Sequence, residues 1–160
     1  MKVSFRVVIE KEQEDGGYYA YSPALPGCFS NGKTLEETVH NMREATRQHV
    51  ASLLSHGQPV PSSELTSDTE KPTEEGHELR EFRHTPLGGK LLRFLDARGF
   101  VEDRKTDSDP TLTHLRRQVS ITIPVHGEHG VGQSMTLRIL RDAGLSVDEF
   151  LRWCRDRGEL

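Results

Sequence analysis

At 160 residues the chain holds enough for one ordinary domain or two small ones. A hydrophobic fraction of 33% beside a charged fraction of 29%, with no run near the roughly eighteen apolar residues of a span, excludes a chain that crosses a membrane as helices. Net charge is −4, divided as −5 over residues 1–84 (9 Lys/Arg against 14 Asp/Glu) and +1 over residues 85–160 (12 against 11); these signs let the halves attract each other, or the second meet a polyanion, yet on charge alone they read as two ordinary solvated surfaces.

The first segment, "MKVSFRVVIEKEQ", alternates instead of forming an apolar block. It reads as a strand with Val3, Phe5, Val7 and Ile9 on one face, and not as a signal peptide. "EDGG" supplies residues that tolerate positive φ and predicts a hairpin turn. "YYAYSPAL" is the return strand, and Pro23 marks its end or an edge position. "PGCFSNGK" sets a short strand between turn signals. Its Cys28 and the distant Cys154 are the only cysteines and lie outside any CxxC, so a reduced, cytoplasmic protein is expected. Thr34 and Glu37 form a capping-box pattern that opens a helix. Leu35, Val39, Met42, His49, Val50, Leu53 and Leu54 share its expected buried side, with Gly57 to cap it and Pro59 to prevent continuation. Residues 1–58 thus read as a β-β-β-α unit.

Residues 59–84 are rich in Pro, Ser, Thr and Glu and poor in large apolar groups, the composition of a linker. The second unit, residues 85–160, opens with the helix "GGKLLRFLDARGF", whose buried side carries Leu91, Leu92, Phe94 and Leu95. Three strand runs follow, "VEDRK", "TLTHLRR" and "VSITIPV". In the last, Val119, Ile121, Ile123 and Val125 face one way and Ser120 and Thr122 the other, so one face is expected against helices and one against water. "MTLRILRDAG" is helical, Gly144 ends it, and Ser146 with Glu149 opens a further helical turn through a second capping box. This is α-β-β-β-α, and the fold class is α+β.

Gly17-Tyr18, Pro23-Ala24-Leu25-Pro26-Gly27-Cys28, Gly32-Lys33-Thr34-Leu35-Glu36-Glu37 and Asn41 together resemble a HicB-type antitoxin over residues 1–60. The resemblance implies a reduced RNase H-like fold that binds and masks a toxin. Such antitoxins usually carry a DNA-binding motif afterwards, and the acidic linker resembles none, so DNA binding is not expected.

"LRFLDARGF" (92–100), "ITIPVH" (121–126) and "ILRDAGLSVDEFL" (139–151) resemble a HicA-type toxin over residues 88–153. That family is made of mRNA-cleaving endoribonucleases (mRNA interferases) whose fold is like that of double-stranded-RNA-binding domains. The family enters its second strand through Gly-Ser-His, and the histidine is its catalytic group. Here the matching residues are Asp107-Ser108-Asp109, so Asp109 stands at the catalytic position. His114 matches the end of that strand and is the second catalytic candidate. His126 matches a strand-end histidine near the nucleic acid, and Lys105, Ser108, Arg116, Arg117 and Arg138 complete the expected RNA-contacting set, with Arg141 beside Arg138.

His126 and His129 also form an H-x-x-H in the loop "PVHGEHGVG". A zinc site needs three or four rigid ligands, and Gly127, Gly130 and Gly132 leave this loop compliant, so neither a metal nor a cofactor is expected. Trp153 has no aromatic companion in the sequence for base stacking and reads as packing material. The resulting expectation is a fused toxin–antitoxin protein. Its first half masks the second, in cis or across a homo-oligomer, and replacement of histidine by Asp109 leaves the ribonuclease weak or inactive. Two alternatives stay open: a non-catalytic RNA-binding or regulatory protein that keeps only the folds, and an active endoribonuclease using His114 or His126.

Overall fold

The computed structural model describes residues 5–12, 16–61, 87–103, 110–124 and 131–159. The N-terminal alternation yields three antiparallel strands, β1 (Val8–Lys11), β2 (Tyr18–Tyr21) and β3 (Phe29–Gly32), in that order across the sheet. Pairing of Glu10 with Tyr19 and of Tyr21 with Phe29 puts these four side chains on one face. Ile9, Ala20 and Ser30 share the other face. Strand β2 is central and stops at Tyr21, ahead of Pro23, which cannot donate to a ladder.

Helix α1 (Leu35–Ser55) begins at Thr34, whose hydroxyl accepts from the Glu37 amide. The Glu37 carboxylate reaches one residue further back than the expected box, to the Lys33 amide at 2.8 Å. Asn41 donates to the Asn31 carbonyl at 2.9 Å and pins the helix to β3. Gly32 permits that approach, because a Cβ there would lie 2.7 Å from the Thr38 amide nitrogen. At the far end Gly57 is left-handed (φ +65°), and Gln58 closes back onto the Leu53 carbonyl.

The second half follows the expected order with one more helix: α2 (Gly88–Ala97), β4 (Val101–Glu102), β5 (Thr111–His114), β6 (Val119–Thr122), α3 (Gln133–Asp142) and α4 (Val147–Asp156). Its strands form an antiparallel sheet ordered β4-β5-β6 and are shorter than the sequence runs suggested. The Ser146–Glu149 capping box forms reciprocally. No helix among the described residues is long and apolar enough to cross a membrane.

The two sheets meet edge to edge. A single parallel bridge links Cys28 to Thr122, and the Thr122 amide donates to the Gly27 carbonyl at 2.7 Å. At about 1.5 Å per residue, α1 is roughly 30 Å long, enough to cover the first sheet and run on over β6 and β5. This changes two expectations. The face of Ser120 and Thr122, read as wet, is buried together with Thr111 and Thr113. On α1, Met42, His49 and Leu53 are buried as expected, but Leu35 and Leu54 are 53% and 62% exposed, and Thr38, Ala45 and Ser52 are buried in addition. Past the first sheet α1 lies against hydroxyl-bearing strands, and there it buries His49 and Ser52 while Leu54 faces solvent.

Two apolar cores result. The smaller, between the first sheet and α1, contains Ala20, Leu25, Cys28, Met42, Ala45 and Leu53. The larger joins Phe94, Ile121, Ile123, Ile139 and Phe150 of the second half to Tyr19 and Phe29 of the first. Trp153 packs at its edge, with its ring 5.6 Å from that of Phe94. The halves therefore share a core and lie docked within one chain.

Candidate functional site

The richest polar chemistry among the described residues lies where the halves meet, on both faces of the joined sheets. Under α1 a layer of hydroxyls replaces apolar packing. His49 Nδ1 lies 2.9 Å from Thr122 Oγ1, which lies 2.9 Å from Thr111 Oγ1. Thr113 and Ser120 pair at 3.0 Å. Burial pushes His49 down to about 4, against weaker opposing pulls from the Pro26 carbonyl and Asp103, so the ring is neutral near pH 7. One turn and more along, the Asp103 carboxylate accepts from Ser52 and from Thr113 and pairs with His56 Nε2 at 3.0 Å. Ser52 and His56 come from the first half and Thr113 from the second.

At the seam, the Gly27 amide donates to Asp142 at 2.8 Å while its carbonyl accepts from Thr122. Neighbouring Cys28 is buried, and desolvation raises its thiol to about 12, so it packs as a small apolar group and is no nucleophile.

On the opposite face, β1 and the residue just after it present two carboxylates to α3. Glu10 receives the Tyr19 hydroxyl and lies 3.4 Å from Arg138 Nη2. The Arg138 guanidinium stacks 3.9 Å over the Tyr21 ring. Burial and the Glu10 contact both raise the Tyr19 phenol, which stays protonated. Glu12, only 8% exposed, accepts from the Ser134 amide at 3.3 Å.

The candidates from sequence fall in different places. Arg138 is brought into this contact and is engaged with Glu10. His114 closes a turn instead: its Nδ1 accepts from the Arg117 amide at 3.2 Å and its ring meets Phe100 edge-on at 5.2 Å. Arg116 and Arg117 sit exposed in that turn, and Gln118 completes it at φ 54°. Lys105, Ser108, Asp109, His126 and His129 lie outside the described residues.

Glu10, Glu12, Gly27, His49, Ser52, Asp103 and Asp142 were not among the sequence candidates. Their signal was faint: a histidine and a serine on the apolar side of one helix, and hydroxyls alternating on a strand that otherwise looked amphipathic. Each pattern is ordinary by itself, and only the docking brings the partners of each network together.

Residues 5–78 match the family described as HicB_like antitoxin of bacterial toxin-antitoxin system. A UPF0150 protein of Synechocystis sp. is 45% identical over 62 residues, which is 39% of this chain and 77% of that protein. One from Thermoplasma acidophilum is 44% identical over 59 residues, covering 37% of this chain and 84% of its own length. An uncharacterized 14.9 kDa protein of Haemophilus phage HP1 is 37% identical over 59 residues, 37% of this chain and 43% of that one. No solved structure matches. Through its first half, which carries the HicB-like antitoxin domain of a toxin–antitoxin system, the chain belongs to the UPF0150 family.

Proposed function

We propose that the chain is a fused toxin–antitoxin protein whose HicB-like half masks a HicA-like, RNA-binding half. The observation that carries this reading is the covered sheet face. Thr111, Thr113, Ser120 and Thr122 pattern that face for water, yet α1 of the first half buries it. A permanent core would favour apolar side chains there, because a buried hydroxyl stabilises little beyond the hydrogen bond it replaces. A mixed contact, with aromatic anchors on one face and paired polar groups on the other, has the composition of an interface between separable partners. The order α2-β4-β5-β6-α3 agrees with a HicA-like unit.

The ribonuclease in this reading is weak or inactive. Cleavage by 2′-hydroxyl attack needs a group that exchanges a proton near pH 7, which histidine does and a carboxylate of reference pKa about 3.9 does poorly. Asp109 also repels the incoming phosphate. His114 is no ready substitute, since its ring is committed to the turn and to Phe100. These same features favour the second reading, RNA binding without cleavage. The test is RNA cleavage and growth arrest by residues 85–160 expressed alone, as found and with Asp109→His. A gain on the order of 10²–10⁴ in cleavage rate with Asp109→His supports a lost catalytic histidine. RNA binding with no cleavage by either form selects the second reading. Strong cleavage by the unaltered fragment that is lost with His114→Ala would establish a working enzyme instead.

A further inference from the structure

We infer that His49 is an acid-sensitive latch between the halves: it holds α1 of the first half against β5 and β6 of the second as a neutral ring, and its protonation opens the seam. The inference concerns the contact itself and stands whether or not the second half binds or cleaves RNA.

The ring is 0% exposed and spans the contact: it belongs to a first-half helix, and its Nδ1 lies 2.9 Å from Thr122 Oγ1 of a second-half strand. Its seat suits one protonation state. An imidazolium carries two N–H donors and needs two acceptors, whereas the neutral ring carries one donor and one bare nitrogen. Nδ1 has the Thr122 hydroxyl. Nε2 makes no hydrogen bond; the Pro26 carbonyl pulls on the ring but lies outside bonding geometry. If Nδ1 is the bare nitrogen, a proton there forces the Thr122 and Thr111 hydroxyls, 2.9 Å apart, to turn around. If Nε2 is bare, the new N–H meets no acceptor. Either way a charge arises in a place shaped for a neutral ring.

Among the described residues, little around the ring offsets that charge. On this face β5 and β6 carry only the hydroxyls of Thr111, Thr113, Ser120 and Thr122. The loop at Pro26–Cys28 adds a thiol that burial keeps neutral, and Asp142, which reaches this loop, accepts from the Gly27 amide. Asp103 is the carboxylate that acts on His49, and it is already shared by Ser52, Thr113 and His56. A proton on His56 strengthens its pair with Asp103, so opening in acid has to come from His49. Burial accordingly holds the His49 ring down at about 4. Opening the seam returns the ring to water and its ordinary value of about 6.5, so the closed contact is fully kept above that pH and is lost as pH falls towards 4.

Two amides of the full chain test this by hydrogen exchange at pH 7 and pH 5, corrected for the intrinsic exchange rate. Thr122 donates across the seam to the Gly27 carbonyl and reports its opening; Ala143 donates to Ile139 and reports the core of the second half. Thr122 protection should fall about twentyfold between these pH values, the factor given by a ring at about 4 when closed and 6.5 when open. It should also lie below that of Ala143 at both, because the seam opens before the fold does. In His49→Gln, which has no titrating ring, the fall should vanish. The carbon-bound ring protons of His49 in the unaltered chain need no variant and should titrate near 4. Equal protection of Thr122 and Ala143 at both pH values overturns the latch, since the seam then opens only with the whole fold. Thr122 protection indifferent to pH, a fall that survives in His49→Gln, or a ring that titrates near 6.5 each overturns it as well.

Discussion

At Gly27 the backbone of the first half lies directly against that of the second. A Cβ there would stand 2.0 Å from the Ser120 carbonyl oxygen, and φ is +87°. Gly27→Ala should therefore cost at least about 2 kcal/mol, from the strained φ and the displaced seam together. Gly57→Ala is the control, since φ there is +65° but nothing lies within 4 Å; it should cost only about 1 kcal/mol. Denaturant unfolding of both variants checks the difference. His49 makes a second prediction. Its folded value, about 4, lies below the ordinary 6.5, so the unfolded chain binds more protons between these values. Its contribution is fully present above about pH 6.5 and is lost as pH falls towards 4, to a total of about 3 kcal/mol. Stability measured from pH 7 to 4 should fall more steeply in the unaltered chain than in His49→Leu.

Element by element, what the sequence could reveal depended on whether an element's surroundings were local. The capping box at Ser146, the glycine stop after α1 and the order of strands and helices are set by neighbours a few residues away, and these were legible. The buried side of α1 was legible only in part. Met42, His49 and Leu53 are buried as their spacing implies, but Leu35 and Leu54 point to solvent, and Ser52 is buried beside Asp103, a residue 51 positions later. The hydroxyl face of β5 and β6 misled for the same reason, because serine and threonine alternate identically against water and against a polar helix face. A double-mutant cycle tests that α1 owes its position to these pairs. Thr122→Val, which leaves His49 Nδ1 without its partner, should cost about 1–3 kcal/mol. Combined with His49→Leu, the loss should be smaller than the sum of the two singles by at least about 0.5 kcal/mol; full additivity would show that the pair is not coupled.

For the molecule as a whole, the consequence is that two units distinct in sequence behave as one folded body. Tyr19 and Phe29 sit in the larger core, so removing either half exposes apolar surface on the other. Unfolding should be a single cooperative transition, and Phe29→Ala should lower it by about 3–5 kcal/mol for both halves at once, read by near-ultraviolet signals from Trp153 and from the tyrosines. Limited proteolysis should cut first within residues 59–84, whose composition favours cleavage. These residues also set the final test, because a tether of this length would keep the halves near millimolar effective concentration whether or not they hold each other by contact. A protease site placed in this segment, cut to completion, separates the covalent tether from the docking contacts. Gel filtration at micromolar concentration should then return both fragments in one peak at the volume of the uncut chain. Two separate peaks, each at the volume of a free half, would contradict a first half that masks the second by contact.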